Sequence, residues 1–391
     1  MGAVGAAAPP LPPRACAQAR RPLGQPAPAA AASPRPAAKR LADEEGGGTS
    51  AGVFDAVGKE LSLQKEAAAW SAPSSSVSLP VASEEDIPTV DVSCLASSMT
   101  DPEALQELAG RLRRACREVG FHFVTGHGVS EDLVARTVQA ADSFSELPAE
   151  VKERYLMDGG SYPAGTGFLP VNNRKLPKRR KGNLVQAFIV KRELGPRHIT
   201  LDDMPWPREL GATFRDTVEA YAGAIEDLAL RMLPAYSVAL GEEPDYLTPA
   251  FKSPLWRLRM SKYPAVQEYE EEQYGIAPHV DTSFFTILHR TEQQAGLVVW
   301  SARTQAWVRV PSKPGALLVN TGEILRQVSN DTFHSARHYV LNQGPNERVS
   351  LAFFFNATAD YRLPVAPGAG GGPAKYPPTS YLDGQGVVQG E

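Results

Sequence analysis

Residues 335–355 read SARHYVLNQGPNERVSLAFFF, two short apolar runs on either side of a segment rich in Gly, Pro and Asn. That is the composition of strand, turn and strand. The same texture recurs upstream as WRLRMSKYP, FFTILHR, GLVVWSA, AWVRVPS and GALLVNTG, all from Trp256 onward. Many short strands divided by turn residues and preceded by helices predict a closed or double-sheet β domain. The expected fold class is mainly β with a helical N-terminal layer (α+β), built on a double-stranded β-helix, or jelly-roll, core over residues 251–365.

The helical layer is expected over residues 86–250. Order should begin at DIPTVDVS, where Ile87, Val90 and Val92 punctuate a short extended stretch and Pro88 suits an edge position. In TDPEALQELAGRLRRACREVGF, Thr100 and Glu103 suggest a capping box, Pro102 sits in the first turn and Gly120 supplies the stop. Leu105, Leu108, Leu112, Cys116 and Val119 recur at three and four residues, so one helical face should be buried. A strand FHFVTGHGV follows, then a helix capped by Ser130 and running to about Glu146. Another spans about Leu210 to Leu240, with Phe214, Val218, Tyr221, Ile225, Leu228 and Met232 on one stripe. Residues 366–391 form a C-terminal extension.

Composition narrows the function. Over 391 residues a hydrophobic fraction of 42% and a net charge of -4 describe a globular chain with no electrostatic reason to hold nucleic acid. No stretch approaches the ~18 apolar residues of a membrane span. Cys16, Cys94 and Cys116 are few and odd in number, which points to a reducing compartment. The expectation is a cytoplasmic monomer acting on a small-molecule substrate, with no nucleic acid or membrane partner. Residues 1–85 read as a disordered Ala/Pro/Gly-rich tail with a weak helical candidate from Val53 to Trp70. Met1 to Ala42 lacks Asp and Glu but carries Arg14, Arg20, Arg21, Arg35, Lys39 and Arg40, so an organelle transit peptide is the alternative.

Candidate chemistry lies at PHVD, residues 278–281. A strand has period two, so His279 and Asp281 share a face and can hold one ion together. His338, in the strand before LNQGPNE, offers a third ligand. Two histidines and one carboxylate are the facial triad of non-haem Fe(II) oxygenases, which leaves positions open for substrate and O2. Arg348 and Ser350 share parity on the following strand. If Gln343, Gly344 and Pro345 form a hairpin loop that sets His338 opposite Ser350, both face the metal cavity, where a guanidinium suits a carboxylate. An acidic co-substrate follows from that arrangement.

With these residues in place the chain resembles the iron(II)/2-oxoglutarate-dependent dioxygenase superfamily, in its isopenicillin N synthase-like branch. That branch carries H-x-D, then W, V-P, P-G, V-N-x-G-D-x-L, S-N-G and S-x-x-H-R-V in order, then R-x-S; here stand HVD, WVRVPSKPGALLVNTGEIL, VSNDTFHSARHYV and RVS. Its N-terminal pattern is echoed by IPTVDVS, VGFHFVTGHGV and FSELPAEVKERY, and the match runs from about Asp86 to Asp383. The resemblance implies that His279, Asp281 and His338 are the catalytic iron ligands. It implies that Arg348 and Ser350, helped by Tyr263 in SKYP, hold the far carboxylate of 2-oxoglutarate. It further implies Fe(2+), 2-oxoglutarate and O2 as cofactor and co-substrates, with a small organic molecule hydroxylated, desaturated or cyclised as CO2 and succinate leave. Four positions depart from the pattern: Ser261 for asparagine, Glu323 for aspartate, Asp331 for glycine and Tyr339 for arginine. Tyr339, of opposite parity to His338, should lie outside the cavity.

Other residues read as structural. His122 and His127 belong to the N-terminal framework, His289 and His334 to core or surface, and Phe284 and Phe285 to core packing. The run from Arg174 to Lys181 reads as a solvated basic loop. Two other functions fit less of the sequence: an oxoacid-independent iron oxidase using R-x-S for its substrate, and a jelly-roll binding protein without catalysis. Nucleic-acid binding through the basic loop would show steep salt dependence.

Overall fold

A computed structural model describes residues 79–96, 101–157, 162–172, 181–266, 273–291, 296–342 and 346–383. In chain order the strands are β1 (Thr89–Asp91), β2 (Phe121–Thr125), β3 (Gly167–Leu169), β4 (Gln186–Arg192), β5 (Leu255–Tyr263), β6 (Ile276–His279), β7 (Phe285–Arg290), β8 (Leu297–Ser301), β9 (Ala306–Arg309), β10 (Leu317–Thr321), β11 (His338–Val340) and β12 (Arg348–Asn356). The helices are α1 (Pro102–Glu118), α2 (Glu131–Ser145), α3 (Ala149–Lys152), α4 (Gly211–Ala239) and α5 (Glu323–Val328). The helical candidate from Val53 to Trp70, Thr100, the three loop residues Gln343, Gly344 and Pro345, and the basic loop apart from Lys181 lie outside the described residues.

Two sheets face one another. One runs β1-β2-β10-β7-β12-β5-β4-β3 and the other β6-β11-β8-β9. The alternation of β12 shows how the sandwich is filled: Val349, Leu351, Phe353 and Phe355 enter the large core shared with the helices, whereas Arg348, Ser350, Ala352 and Phe354 line a cavity between the sheets. Outside that cavity the space between the sheets is closed by Phe123, Val185, Leu318, Val299 and Val308. Burying one parity under helices and leaving the other as a lined cavity is what a jelly roll needs to carry an internal site.

The helices cover the outer face of the larger sheet as their stripes require. Leu105, Leu108, Leu112 and Cys116 of α1 are buried, as are Phe214, Val218, Tyr221, Ile225, Leu228 and Met232 of α4. Ser130 Oγ caps α2 by accepting from Leu133 N at 3.4 Å. For α1 the cap is Asp101, whose carboxylate accepts from Ala104 N at 3.2 Å. A carboxylate at that place adds attraction to the helix dipole. No described helix is long and apolar enough to cross a membrane.

Three further expectations are corrected. The region read as helical also supplies β1 to β4, of which β3 and β4 went unread. The strand β6 ends at His279, so Asp281 lies in the following loop, where its backbone carbonyl accepts from Glu323 N–H at 2.8 Å. Finally, β11 and β12 are not hairpin partners. His338 pairs with His279 and Val299 in the smaller sheet, while Ser350 pairs with Ser261 and Arg290 in the larger one. The chain crosses between sheets after β11, and Arg348 and Ser350 face the cavity from the opposite wall to His338.

Gly120 closes α1 with φ of 81°, and a Cβ there would stand 2.2 Å from the His334 carbonyl oxygen. Substitution by alanine meets both a left-handed backbone and a fixed carbonyl. Gly120→Ala should therefore lower stability by about 2 to 4 kcal/mol in urea unfolding; an unchanged midpoint would mean that the contact between Gly120 and the His334 carbonyl is not rigid.

Candidate metal centre

The two histidines face each other across the β6–β11 pair, with ring centroids 4.2 Å apart. Each imidazole is held by its Nδ1, that of His279 on the Ala277 carbonyl at 2.8 Å and that of His338 on the Ala336 carbonyl at 3.1 Å. A carbonyl only accepts, so Nδ1 carries a proton, and the lone pair of a neutral ring then falls on Nε2. Both Nε2 atoms point at Asp281 Oδ1, at 3.5 Å from His279 and 3.7 Å from His338.

The other Asp281 oxygen is tied off. Oδ2 accepts from Thr286 Oγ1 at 2.7 Å and from Asn320 Nδ2 at 2.8 Å, and Ser283 Oγ lies 2.9 Å from the Thr286 hydroxyl. Burial works against the Asp281 anion, but the imidazoles of His338 and His279 and the Asn320 amide outweigh it and hold the carboxyl well below the usual range. Burial, with His279 beside it, pushes His338 down to about 4. At neutral pH the group is therefore one carboxylate and a neutral His338, both in ligating form. Among the described residues these three are the one group whose ligand atoms, all within 4.8 Å of one another, could hold a metal ion. Two borderline nitrogens and one hard oxygen, each oriented from behind by the protein, fit a divalent first-row metal.

The rest of the cavity is cationic at its far end. Arg348 is buried and its guanidinium lies 3.8 Å from the centre of the Tyr263 ring. It donates to the Leu341 carbonyl at 3.2 Å and the Asn342 side chain at 3.4 Å, and burial lowers its pKa. Ser350 and Ser261, direct partners across β5 and β12, are buried beside it. Leu288, Leu297 and Val340 supply apolar wall. Behind Arg348 a second pocket of about 690 Å³ opens between α2 and the larger sheet, bordered by His127, His289 and Lys313.

All six residues picked from the sequence, His279, Asp281, His338, Tyr263, Arg348 and Ser350, thus border one cavity. Thr286, Asn320, Arg259 and Arg290 also line it, and the sequence motifs give them no part. A polar residue inside an apolar strand was the available signal for each. The departures find partners elsewhere. Glu323 and Asp331 both pair with Arg326, and Asp331 keeps the left-handed backbone natural to glycine, with φ of 66°. Tyr339 packs edge-on against Trp307 and Tyr274, away from the cavity. His127 is a framework group, hydrogen-bonded to Gly315 O and Val129 N.

Two histidines and a carboxylate inside a jelly roll are the arrangement found in non-haem metal oxygenases. Residues 255–357 match the 2OG-Fe(II) oxygenase superfamily, and residues 87–209 match the family described as non-haem dioxygenase in morphine synthesis, N-terminal. Validamycin A dioxygenase of Streptomyces hygroscopicus subsp. limoneus is 31% identical over 312 residues, covering 73% of this chain and 81% of that one. A homoarginine-6-hydroxylase of Arabidopsis thaliana is 28% identical over 281 residues, covering 69% and 76%. Among solved structures, JOX2 in complex with 2OG, Fe and JA is 27% identical with a TM-score of 0.64 over 80% of this chain and 88% of that one. A 2OG-Fe(II) oxygenase family protein of Caulobacter crescentus, at 23% identity and a TM-score of 0.65 over 76% and 96%, shares the fold. The chain belongs to the 2OG-Fe(II) oxygenase superfamily and is an iron- and 2-oxoglutarate-dependent oxidoreductase acting on small molecules.

Thr286 and Asn320 hold Asp281 Oδ2 and leave Oδ1 turned toward the two imidazole Nε2 atoms. Thr286→Val and Asn320→Ala should each weaken Mn(II) binding by about ten- to a hundredfold with little change in far-UV circular dichroism. Unchanged affinity in both would show that Asp281 is positioned by the backbone alone.

Proposed function

We propose that His279, Asp281 and His338 are the iron ligands and that Arg348, Ser350 and Tyr263 receive the far carboxylate of 2-oxoglutarate, so that the protein oxidises a C–H bond of a small organic molecule while the oxoacid becomes succinate and CO2. One observation carries this reading: every ligand atom that does not face the centre is already engaged by the protein, through Ala277, Ala336, Thr286 and Asn320. Such engagement orients three donors toward a single ion and toward nothing else in the fold. When bound, Fe(II) supplies activation of O2, chemistry that no side chain can provide.

The chain's own work is placement. His279 and His338 donate lone pairs from one sheet and Asp281 supplies the negative charge from the loop joining it to the other. Arg348, buried against the Tyr263 ring, offers paired N–H donors to a carboxylate, which sets the direction in which an oxoacid lies. Ser350 adds a hydroxyl on the same wall. Leu288, Leu297, Val340 and Phe354 surround the path with apolar surface that excludes water from the reacting carbon. The few cysteines support action in a reducing compartment, and we read this as the cytoplasm.

Anaerobic addition of Fe(II) and then 2-oxoglutarate should produce the weak visible charge-transfer band of the chelate, and His279→Ala and Arg348→Ala should each abolish it. Iron uptake without a band would favour an oxoacid-independent oxidase. No iron uptake at all would leave a binding protein.

A further inference from the structure

We propose that Arg290 is a second cation for the far carboxylate of the oxoacid, so that the cavity holds this group between two guanidinium groups. The assignment rests on the reading of the cavity as an oxoacid site and deepens it.

Register places Arg290 there. On β7 the cavity-facing residues are Thr286, Leu288 and Arg290. Thr286 holds Asp281 at the metal end, and Arg290 stands two side-chain steps further along, directly opposite Ser350. Four residues of strand span about 13 Å. That distance accommodates a metal-bound five-carbon diacid and the reach of an arginine. Arg348, two residues from Ser350 on β12, faces the same point from the adjacent strand.

Charge supplies the second argument. Arg290 donates to the Val310 carbonyl at 3.3 Å and to the Pro311 carbonyl, and Arg348 to Leu341 and Asn342. A guanidinium carries more N–H donors than either pair of acceptors uses. Among the described residues no carboxylate forms an ion pair with either arginine, and the one acid of the cavity, Asp281, is committed at the other end. Two like charges buried side by side cost free energy until an anion joins them. Burial, and Arg348 after it, push the Arg290 pKa down to about 10. The bonds to Val310 and Pro311 explain why a donor stands at 290, tying the two sheets together; they do not explain why it is charged. A carboxylate lying between the two guanidinium groups, accepting from both, accounts for the charge.

The test compares 2-oxoglutarate with 2-oxopentanoate, the same oxoacid without its far carboxylate, by calorimetry on the full Mn(II)-loaded chain. Arg290→Gln should weaken 2-oxoglutarate by about ten- to a hundredfold and leave 2-oxopentanoate within about twofold, so that the preference for the diacid collapses. Arg290→Lys keeps the charge without the planar fork and should lose part of that preference, which keeps the test open should the glutamine variant fail to fold. A role confined to joining the sheets would lower the melting temperature and leave the ratio of the two affinities untouched, and that result would overturn the assignment. Wild-type protein that takes up neither acid would remove the underlying oxoacid reading and this assignment with it; wild type that prefers the diacid beside variants that prefer it equally would remove the assignment alone.

Discussion

The Asp281 carboxylate is the joint on which the site depends. His279 and His338 belong to the smaller sheet, whereas Thr286 and Asn320, which hold Asp281 Oδ2, belong to the larger one. Asp281 sits in the loop that crosses between them, and its backbone carbonyl is held by the first N–H of α5. The cluster of His279, Asp281 and His338 is therefore made by the approach of two sheets, and anything that lets them slide would separate the carboxylate from the imidazoles. Gly322 marks how close this approach is, because a Cβ there would stand 1.8 Å from the Ser283 carbonyl oxygen.

From that joint the cavity runs toward positive charge. At one end stand a carboxylate and two imidazoles; at the other stand the guanidinium groups of Arg348 and Arg290. A molecule that both chelates a metal through one end and carries a carboxylate at the other lies along this gradient in one direction only. On the proposed oxoacid reading, electrostatics at its two ends orients the co-substrate, and the apolar residues between them need only exclude water. Phe251, Phe284, Phe285 and Phe355 pack ring against ring in the core beneath the larger sheet.

Much of this was legible in the sequence because it follows from short-range rules. Parity along RVSLAFFF put Arg348 and Ser350 on one face and Val349 and Leu351 on the other, and helical spacing set the buried faces of α1 and α4. What the sequence did not carry was which strand pairs with which. The turn-rich segment after His338 has the composition of a hairpin, and only the packing of two sheets against each other sends it across the sandwich; the two arginine-bearing strands met His338 from the opposite wall through an interaction no local pattern encodes. Asp281 was placed on the right face for an incomplete reason, since the loop and α5, not strand alternation, aim it. Thr286, Asn320 and Arg290 are single polar residues in apolar strands, and a strand alone does not disclose what a polar side chain will meet.

The most direct measurement is a crystal structure of the full chain grown anaerobically with Fe(II) and 2-oxoglutarate, with diffraction recorded at the iron absorption edge. A single anomalous peak among His279 Nε2, Asp281 Oδ1 and His338 Nε2, with oxoacid density running from it to Arg348, is the predicted result. An iron peak elsewhere, or an oxoacid lying away from Arg348, would contradict the account.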